Sequence, residues 1–297
     1  MFDLLILNGM IVDGTSNPWF YGDIGVVGEK ISKVGNLKRF KAKKTIDAKG
    51  LIVSPGFIDI HSHSDFHMLV DYRCEGKLRQ GVTTEVVGNC GYSLTPLIGS
   101  ALEESRRSHL ELYGIEAGWR SVEEYLQALQ NSKPSINYAT LVGHGTVRKS
   151  VMGYENRQPT KEELSMMKEL LDRSLKQGAF GMSTGLIYSP GSFAETNELI
   201  ELCKVVARRN GIYTTHMRSE SERLEESVAE SIEIGERSGV AVQISHHKAC
   251  GRKYFGKVNN TLEMIKSARN KGIDVTCDVY PYTATATDLD AILPNWV

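Results

Sequence analysis

His61 and His63 are separated by one residue in the stretch GFIDIHSHSD, Gly56 to Asp65. The apolar run ahead of them, Phe57, Ile58 and Ile60, reads as a buried strand. Side chains alternate along a strand, so the two imidazoles face one side and Ser62 the other. Two imidazoles on one side of a strand end can grip one metal ion. Other apolar runs also close on metal-competent or hydrogen-bonding residues: Cys90 in VVGNCG, His144 in LVGHG, His216 in TTHMRSE, and His246, His247 and Lys248 in ISHHK. Zinc accepts histidine nitrogen and cysteine sulfur, and a catalytic zinc keeps one position open for water. Such a site lowers the pKa of water to about 7 and polarises a carbonyl, both of which an amide requires. A carboxylate must then move protons between water and the departing nitrogen.

These residues need elements that bring them together. Residues 1 to about 55 are short β-type runs punctuated by Asn8-Gly9, Asp13-Gly14, Gly28-Glu29 and Lys49-Gly50, the signals of tight turns. They read as a small all-β subdomain without a cluster of ionisable groups. From 56 to 297 the texture is alternating strand and helix. Strand-like runs fall at 56–61, 83–88, 136–143, 179–184, 211–216, 240–245 and 273–280. Thr160 to Glu163 is a capping box, followed by Leu164, Met167, Leu171 and Leu175 at helical spacing and then Gly178. Ser121 opens a second helix, and Leu224, Val228 and Ile232 form a third stripe ending at Gly239. His216 and His246 lie one β-α repeat apart. This pattern means a parallel sheet with helices outside. In an open sheet the polar strand ends would spread over ~40 Å at the usual ~4.8 Å spacing, whereas a barrel gathers them at one mouth. The expected fold is therefore an α/β (β/α)8 TIM-type barrel, with strands 1 to 7 visible in residues 56–297. The eighth unit is expected after Leu293 to Val297, so the sequence reads as the N-terminal part of a longer barrel.

Composition narrows the partners. Thirty-five Lys plus Arg against 36 Asp plus Glu give a net charge of −1, with no electrostatic pull towards nucleic acid or anionic membrane. No stretch approaches the roughly 20 apolar residues of a membrane span, and the first residues lack the basic start of a signal peptide. The five cysteines have no paired spacing. A reducing cytoplasm is expected, with each cysteine a free thiol or a ligand.

The motifs SPGFIDIHSHSD, VVGNCGYS, GHGTVR, STGLIYSPG, THMRSE, ISHHK and DVYPYTA resemble the N-acyl-D-amino-acid deacylases (D-aminoacylases) of the amidohydrolase superfamily. The resemblance spans nearly the whole sequence. It implies a distorted barrel, one or two zinc ions, and hydrolysis of a small N-acyl-D-amino acid to the D-amino acid and a carboxylate. By that resemblance His61, His63, Cys90, His216 and His246 are metal ligands, with Cys90 in place of the carboxylated lysine of many relatives. Lys248 and Tyr282 hold the substrate carboxylate, and Tyr188 donates to the scissile carbonyl. The family's general base, an aspartate after the eighth strand, is expected beyond residue 297, as is an arginine that helps bind the carboxylate. The rest of the cysteines, and His144, read as structural, with Asp59 and Asp65 as hydrogen-bond acceptors behind the ligands. The rival readings are a cyclic amidohydrolase of the dihydroorotase or hydantoinase type and a non-catalytic scaffold. Cyclic amidohydrolases generally carry a carboxylated lysine on the fourth strand, and AFGMSTG has no lysine.

Overall fold

The computed structural model describes residues 1–287 and Ala291. The chain divides into two compact units, Met1–Phe57 and Ile58–Val297.

The first unit holds strands β1 (Phe2–Ile11), β2 (Phe20–Val27), β3 (Lys30–Gly35), β4 (Ala42–Asp47) and β5 (Ile52–Val53). They form one sheet in the order β3-β2-β1-β4, with β5 also paired to β1. Phe2, Leu5 and Leu37 are its buried centre. Asn8-Gly9 carries a turn signal, yet β1 runs straight through it. Asn8 takes φ +61° and the register with β2 shifts between Ile6 and Gly9, which is a bulge. The bulge is pinned by Asn8 N donating to Asp23 Oδ1 at 2.7 Å and Asn8 Nδ2 to Asp47 Oδ1 at 2.9 Å. A Cβ on Gly9 would lie 2.6 Å from Val53 Cγ2, so only glycine fits that close approach.

In chain order the second unit contains β6 (Phe57–Asp59, opening at the boundary), α1 (His67–Val70), α2 (Glu75–Leu78), β7 (Val82–Val87), α3 (Gly99–Tyr113), α4 (Val122–Ser132), β8 (Asn137–Thr140), β9 (Val142–Gly143), α5 (His144–Met152), α6 (Lys161–Lys176), β10 (Gly181–Gly185), α7 (Thr196–Arg208), β11 (Ile212–His216), α8 (Leu224–Ser238), β12 (Ala241–Ile244), α9 (Lys257–Asn270) and β13 (Val275–Cys277). The capping box of α6 is formed by Thr160 and Glu163. Ser121 caps α4, accepting from Glu124 N. Gly239 ends α8 at φ +75°. None of the described helices is long and apolar enough to cross a membrane.

Strands β6-β7-β8 form one sheet and β9 to β13 another, each strand beside its neighbour in sequence. The two sheets meet at Leu141, the one residue between β8 and β9. Its N–H donates to Val87 O at 2.8 Å, and Phe180 N donates to Thr140 O at 2.9 Å. Every residue of β10 is buried, as expected where helices cover one face of a parallel sheet and side chains fill the other. Met182, Val206, Tyr213, Val242 and Ile244 belong to the main core that joins strands to helices.

Seven strand positions laid flat would separate the first and last by roughly 29 Å at ~4.8 Å per step. Instead Asp278, just past β13, lies 3.8 Å from His61, just past β6 (Oδ1 to Nδ1). The residues that follow the first and last of these strands are thus drawn together. Leu293 to Val297, after which the sequence pattern points to an eighth unit, lie outside the described residues.

Candidate metal centre and its cavity

The C-terminal ends of β6, β7, β11, β12 and β13 converge on one cluster. His61 Nε2 lies 3.3 Å from Cys90 Sγ, and Cys90 Sγ lies 3.8 Å from His246 Nε2. These three form a trio whose donor atoms lie within 4.8 Å of one another, and His216, Glu220 and His246 form a second. His246 belongs to both. The rings of His216 and His246 are 4.4 Å apart, and those of His61 and His246 are 5.0 Å apart.

Backbone geometry aims these groups. Cys90 and His246 both sit in the left-handed region, at φ +52° and +40°. That region costs a non-glycine residue on the order of 1–3 kcal/mol and is tolerated where surroundings over-determine it. Around Cys90 the surroundings are tight. A Cβ on Gly88 would lie 2.2 Å from Leu141 O, and one on Gly91 would lie 2.6 Å from Gly185 N. His246 is held by its own N–H, which donates to Asp278 Oδ1 at 2.6 Å. Gln243 Nε2 occupies the other oxygen of Asp278 at 2.9 Å.

Charge in the cluster is unbalanced. Glu220 reaches His246 Nδ1 at 2.7 Å through one oxygen and Lys248 Nζ at 2.6 Å through the other. Burial works to raise the Glu220 pKa, but His246, His216 and Lys248 outweigh it and hold it at about 2. Burial, with His246 next to it, drops His216 to about 3, so its ring is neutral at pH 7. Burial, followed by the Glu220 and Asp278 carboxylates, pushes the Cys90 thiol up to about 12. Among the described residues, two carboxylates therefore face one ammonium, beside the imidazoles and sulfur of the cluster. The Nδ1 atoms of His61 and His216 are buried with no hydrogen-bond partner among the described residues. Such a set fits a divalent cation, whose charge would offset the carboxylates and favour the thiolate.

A family model described as the amidohydrolase family matches residues 44–293. The chain belongs to the amidohydrolase family. It is 40% identical over 290 residues to a D-aminoacylase of Alcaligenes xylosoxydans xylosoxydans, covering 97% of this chain and 59% of the relative. It is 37% identical to the N-acyl-D-aspartate deacylase of the same organism, covering 97% of this chain and 58% of that one. The crystal structure of N-acyl-D-glutamate deacylase from Bordetella bronchiseptica, complexed with zinc and a phosphonate mimic of the reaction's tetrahedral intermediate, matches with a TM-score of 0.87 and 38% identity. That match covers 95% of this chain and 59% of the other. The chain thus spans under three fifths of the length of these relatives.

In this amidohydrolase the five residues singled out as ligands lie close together. His61, Cys90, His216 and His246 supply donor atoms to the two trios. His63 belongs to neither; its ring is 5.3 Å from that of His61 and it lines the adjoining cavity. Burial on the side of the cluster, then His61 and His246, lower its pKa towards about 4, and the exposure of the residue to solvent tempers that shift. Ser62 does face away: with Ser64 it donates to the buried carboxylate of Glu85, at 3.1 and 2.7 Å. Lys77 bridges Glu85 and Asp59 beneath them, and Asp59 Oδ1 accepts from His61 N at 3.1 Å.

Lys248 sits beside the cluster, its Nζ 5.4 Å over the Tyr280 ring. Tyr282 stacks on Tyr280 at 6.2 Å and is 70% exposed, so it adjoins Lys248 only through its neighbour. Tyr188 lies with its ring 5.1 Å from His216 and its hydroxyl 2.7 Å from Thr287 Oγ1. His247 is buried behind the cluster against Thr261 Oγ1 at 2.8 Å. His144 is bound to Glu198 at 2.8 Å, away from the ligands. Cys250 approaches Glu220 at 3.8 Å. Glu220 and Asp278 are site residues that sequence reasoning passed over. Their signals were modest: Glu220 follows His216 by four residues, and Asp278 directly follows β13.

Beside the cluster lies a cavity of about 570 Å3, lined among others by His63, Cys90, Tyr92, Leu97, Tyr188 and Thr287. It extends over the ends of β7, β9 and β10 towards α3 and α5.

Proposed function

We propose that this chain forms most of a closed, distorted (β/α)8-type barrel and acts as a zinc-dependent deacylase of N-acyl-D-amino acids. The observation that carries the reading is the pair of donor trios sharing His246. Imidazole, thiol and carboxylate converge from separate strand ends, with donor atoms within 4.8 Å of one another in each trio. The meeting of β6 and β13 ends supports closure. The relatives' printed activities support the D-amino-acid class, and the zinc complex of the Bordetella bronchiseptica enzyme supports the metal.

His61, His63, Cys90, His216 and His246 would hold one or two zinc ions. Bound zinc supplies a Lewis acid for the amide carbonyl and lowers the pKa of water to about 7. The residues of the chain do the rest. Glu220 lies against the Nδ1 side of the His246 ring, with Nε2 on the side of Cys90, and a carboxylate in that position helps to orient a ligand imidazole. Lys248 carries three N–H donors. They face Glu220 Oε2 at 2.6 Å, His246 O at 3.1 Å and His246 Nδ1 at 3.3 Å, and a substrate carboxylate, with Tyr282 alongside, would take over the last and longest of these. The Tyr188 hydroxyl, next to His216, donates to the carbonyl oxygen as charge develops there. The substrate is a small molecule, and the near-neutral chain offers nothing to nucleic acid or membrane. All five cysteines are free thiols, which suits a reducing cytoplasm.

The cyclic-amide reading fits less well. β10 is GMSTG and has no lysine to be carboxylated. The test is a panel of N-acetyl-D- and N-acetyl-L-amino acids, hydantoin and dihydrouracil, assayed with zinc content measured in parallel. Turnover of D-isomers well above L-isomers, with bound zinc, is expected. Faster turnover of a cyclic ureide would move the protein to the rival class.

A further inference from the structure

The mouth of the site has two unlike halves. Over β11, β12 and β13 stand Glu220, Lys248 and Asp278, a set of charged groups. Over β7, β9 and β10 stands the cavity, and neither Lys248 nor Tyr282 lines it. The metal-competent cluster and Tyr188 lie on the line between the halves.

We infer that the cavity is the subsite for the acyl group, and that it takes a neutral acyl chain several methylenes longer than acetyl. The inference rests on the proposed deacylase reading, because that reading fixes the direction of the substrate. With the carboxylate at Lys248 and the carbonyl at Tyr188, the amino-acid half lies over β11 to β13. The substituent on the carbonyl carbon points the opposite way, into the cavity. At about 570 Å3 the space is of the size that encloses drug-sized ligands, far more than a methyl group fills. Its wall mixes apolar and small polar residues, with Leu97 and Ala101 beside Ser105 and Ser108 on α3. Lys149 is the one full cation among the described lining residues, and it is already engaged. Glu104 lies 2.8 Å from it, and its ammonium stands 4.9 Å over the Tyr154 ring. A charged acyl end would have to displace Glu104, whereas an alkyl or aryl chain only displaces water.

The test compares N-acetyl-, N-hexanoyl- and N-succinyl-D-leucine on the full chain. Binding to the metal-free protein is measured by calorimetry and hydrolysis with zinc added. Four further methylenes entering apolar surroundings should tighten binding and raise kcat/KM by on the order of 10- to 100-fold. Succinyl should bind no better than acetyl. Ser108→Phe, at a half-buried position on α3, should erase the hexanoyl advantage and leave acetyl unchanged; Leu97→Ala should weaken hexanoyl alone. Equal affinity for hexanoyl and acetyl would overturn the subsite, as would Ser108→Phe acting instead on the size of the D-side chain. Tighter hexanoyl binding without hydrolysis of any substrate would sink the deacylase reading and leave the subsite standing. Hydrolysis of all three at equal efficiency would do the reverse.

Discussion

Two buried clusters in the α/β unit set a histidine against a carboxylate, and they differ in what surrounds the pair. In one, His144 Nε2 meets Glu198 Oε1 at 2.8 Å, and Arg148 Nη1 meets Glu198 Oε2 at 2.6 Å. Arg148 is fully buried and spends a further donor on Arg157 O at 2.5 Å. One carboxylate faces one guanidinium, and the charge closes. In the other, Glu220 and Asp278 face Lys248 as the one lysine or arginine among the described residues of the cluster, with a thiol and imidazoles turned inward. Both clusters keep a ring nitrogen without a partner, on His144 in one and on His61 and His216 in the other. An orphaned nitrogen is therefore not what separates them. The separating feature is convergence of lone pairs where a positive charge is missing, held by two residues in the left-handed region.

The largest effect should come from removing the sulfur. Cys90→Ala is expected to lose most bound zinc by elemental analysis, with deacylase turnover falling by more than 100-fold. Cys74→Ala should retain its zinc. Equal zinc in wild type and Cys90→Ala would erase the distinction between the clusters.

The closed cluster should answer in stability instead. Arg148→Met leaves Glu198 buried without its counter-charge, a change that typically costs about 3–5 kcal/mol. Thermal denaturation should show a Tm lower by about 10 °C, while zinc per folded chain stays at the wild-type level. A variant with unchanged Tm but lost zinc would place Arg148 in the functional cluster.

Glu220→Gln sharpens the comparison from the side of the metal. It keeps the shape but weakens the hold on His246 and Lys248, and such orienting groups are worth about 10- to 100-fold in metal affinity. Competition with a chelator should show a loss in that range, with Tm moved far less than by Arg148→Met. No change in affinity would make Glu220 a bystander.

Legibility in the sequence followed the range of the forces involved. The opposite facing of His61 and Ser62 is local, and so are the caps of α4 and α6 at Ser121 and Thr160; these were readable, whereas the burial expected of Phe57, Ile58 and Ile60 was not met, since β6 ends at Asp59 and all three side chains are exposed. Helices α3, α5, α7 and α9 begin without a side-chain cap and gave no comparable signal. Asn8-Gly9 carries the same residues in a bulge as in a turn, and the partners that decide, Asp23 and Asp47, lie 15 and 39 residues away. Glu220 and Asp278 were missed for the same reason. Acidic residues are common at surfaces, and only the fold buries these two against His246.

The smallest expected effect is in the acid titration of the metal-free protein, and it separates the clusters by pH. His216, at about 3, and His63, at about 4, stay neutral in the fold but bind protons on unfolding below their ordinary 6.5. Stability tied to them is lost as pH falls from 6.5 towards those values. Asp65 works against them. Burial, with the Glu85 charge behind it, raises its pKa from 3.8 to about 7, so lowering the pH across that window favours the fold. Burial lowers the His247 pKa as well, while solvent at the exposed His63 reduces its share; together the histidines outweigh Asp65, and protons are taken up on unfolding across this window. In the closed cluster, burial raises the Glu198 pKa but His144 and Arg148 bring it below its ordinary 4.5. Its contribution is lost only as pH falls below 4.5. Urea unfolding from pH 7 to 4 should therefore show declining stability in the metal-free wild type, and His216→Asn should flatten the decline. With zinc bound the decline should steepen, because protons and metal compete for the same nitrogens. A His216→Asn variant that keeps the wild-type slope would show that the pH response does not originate in the metal-competent cluster.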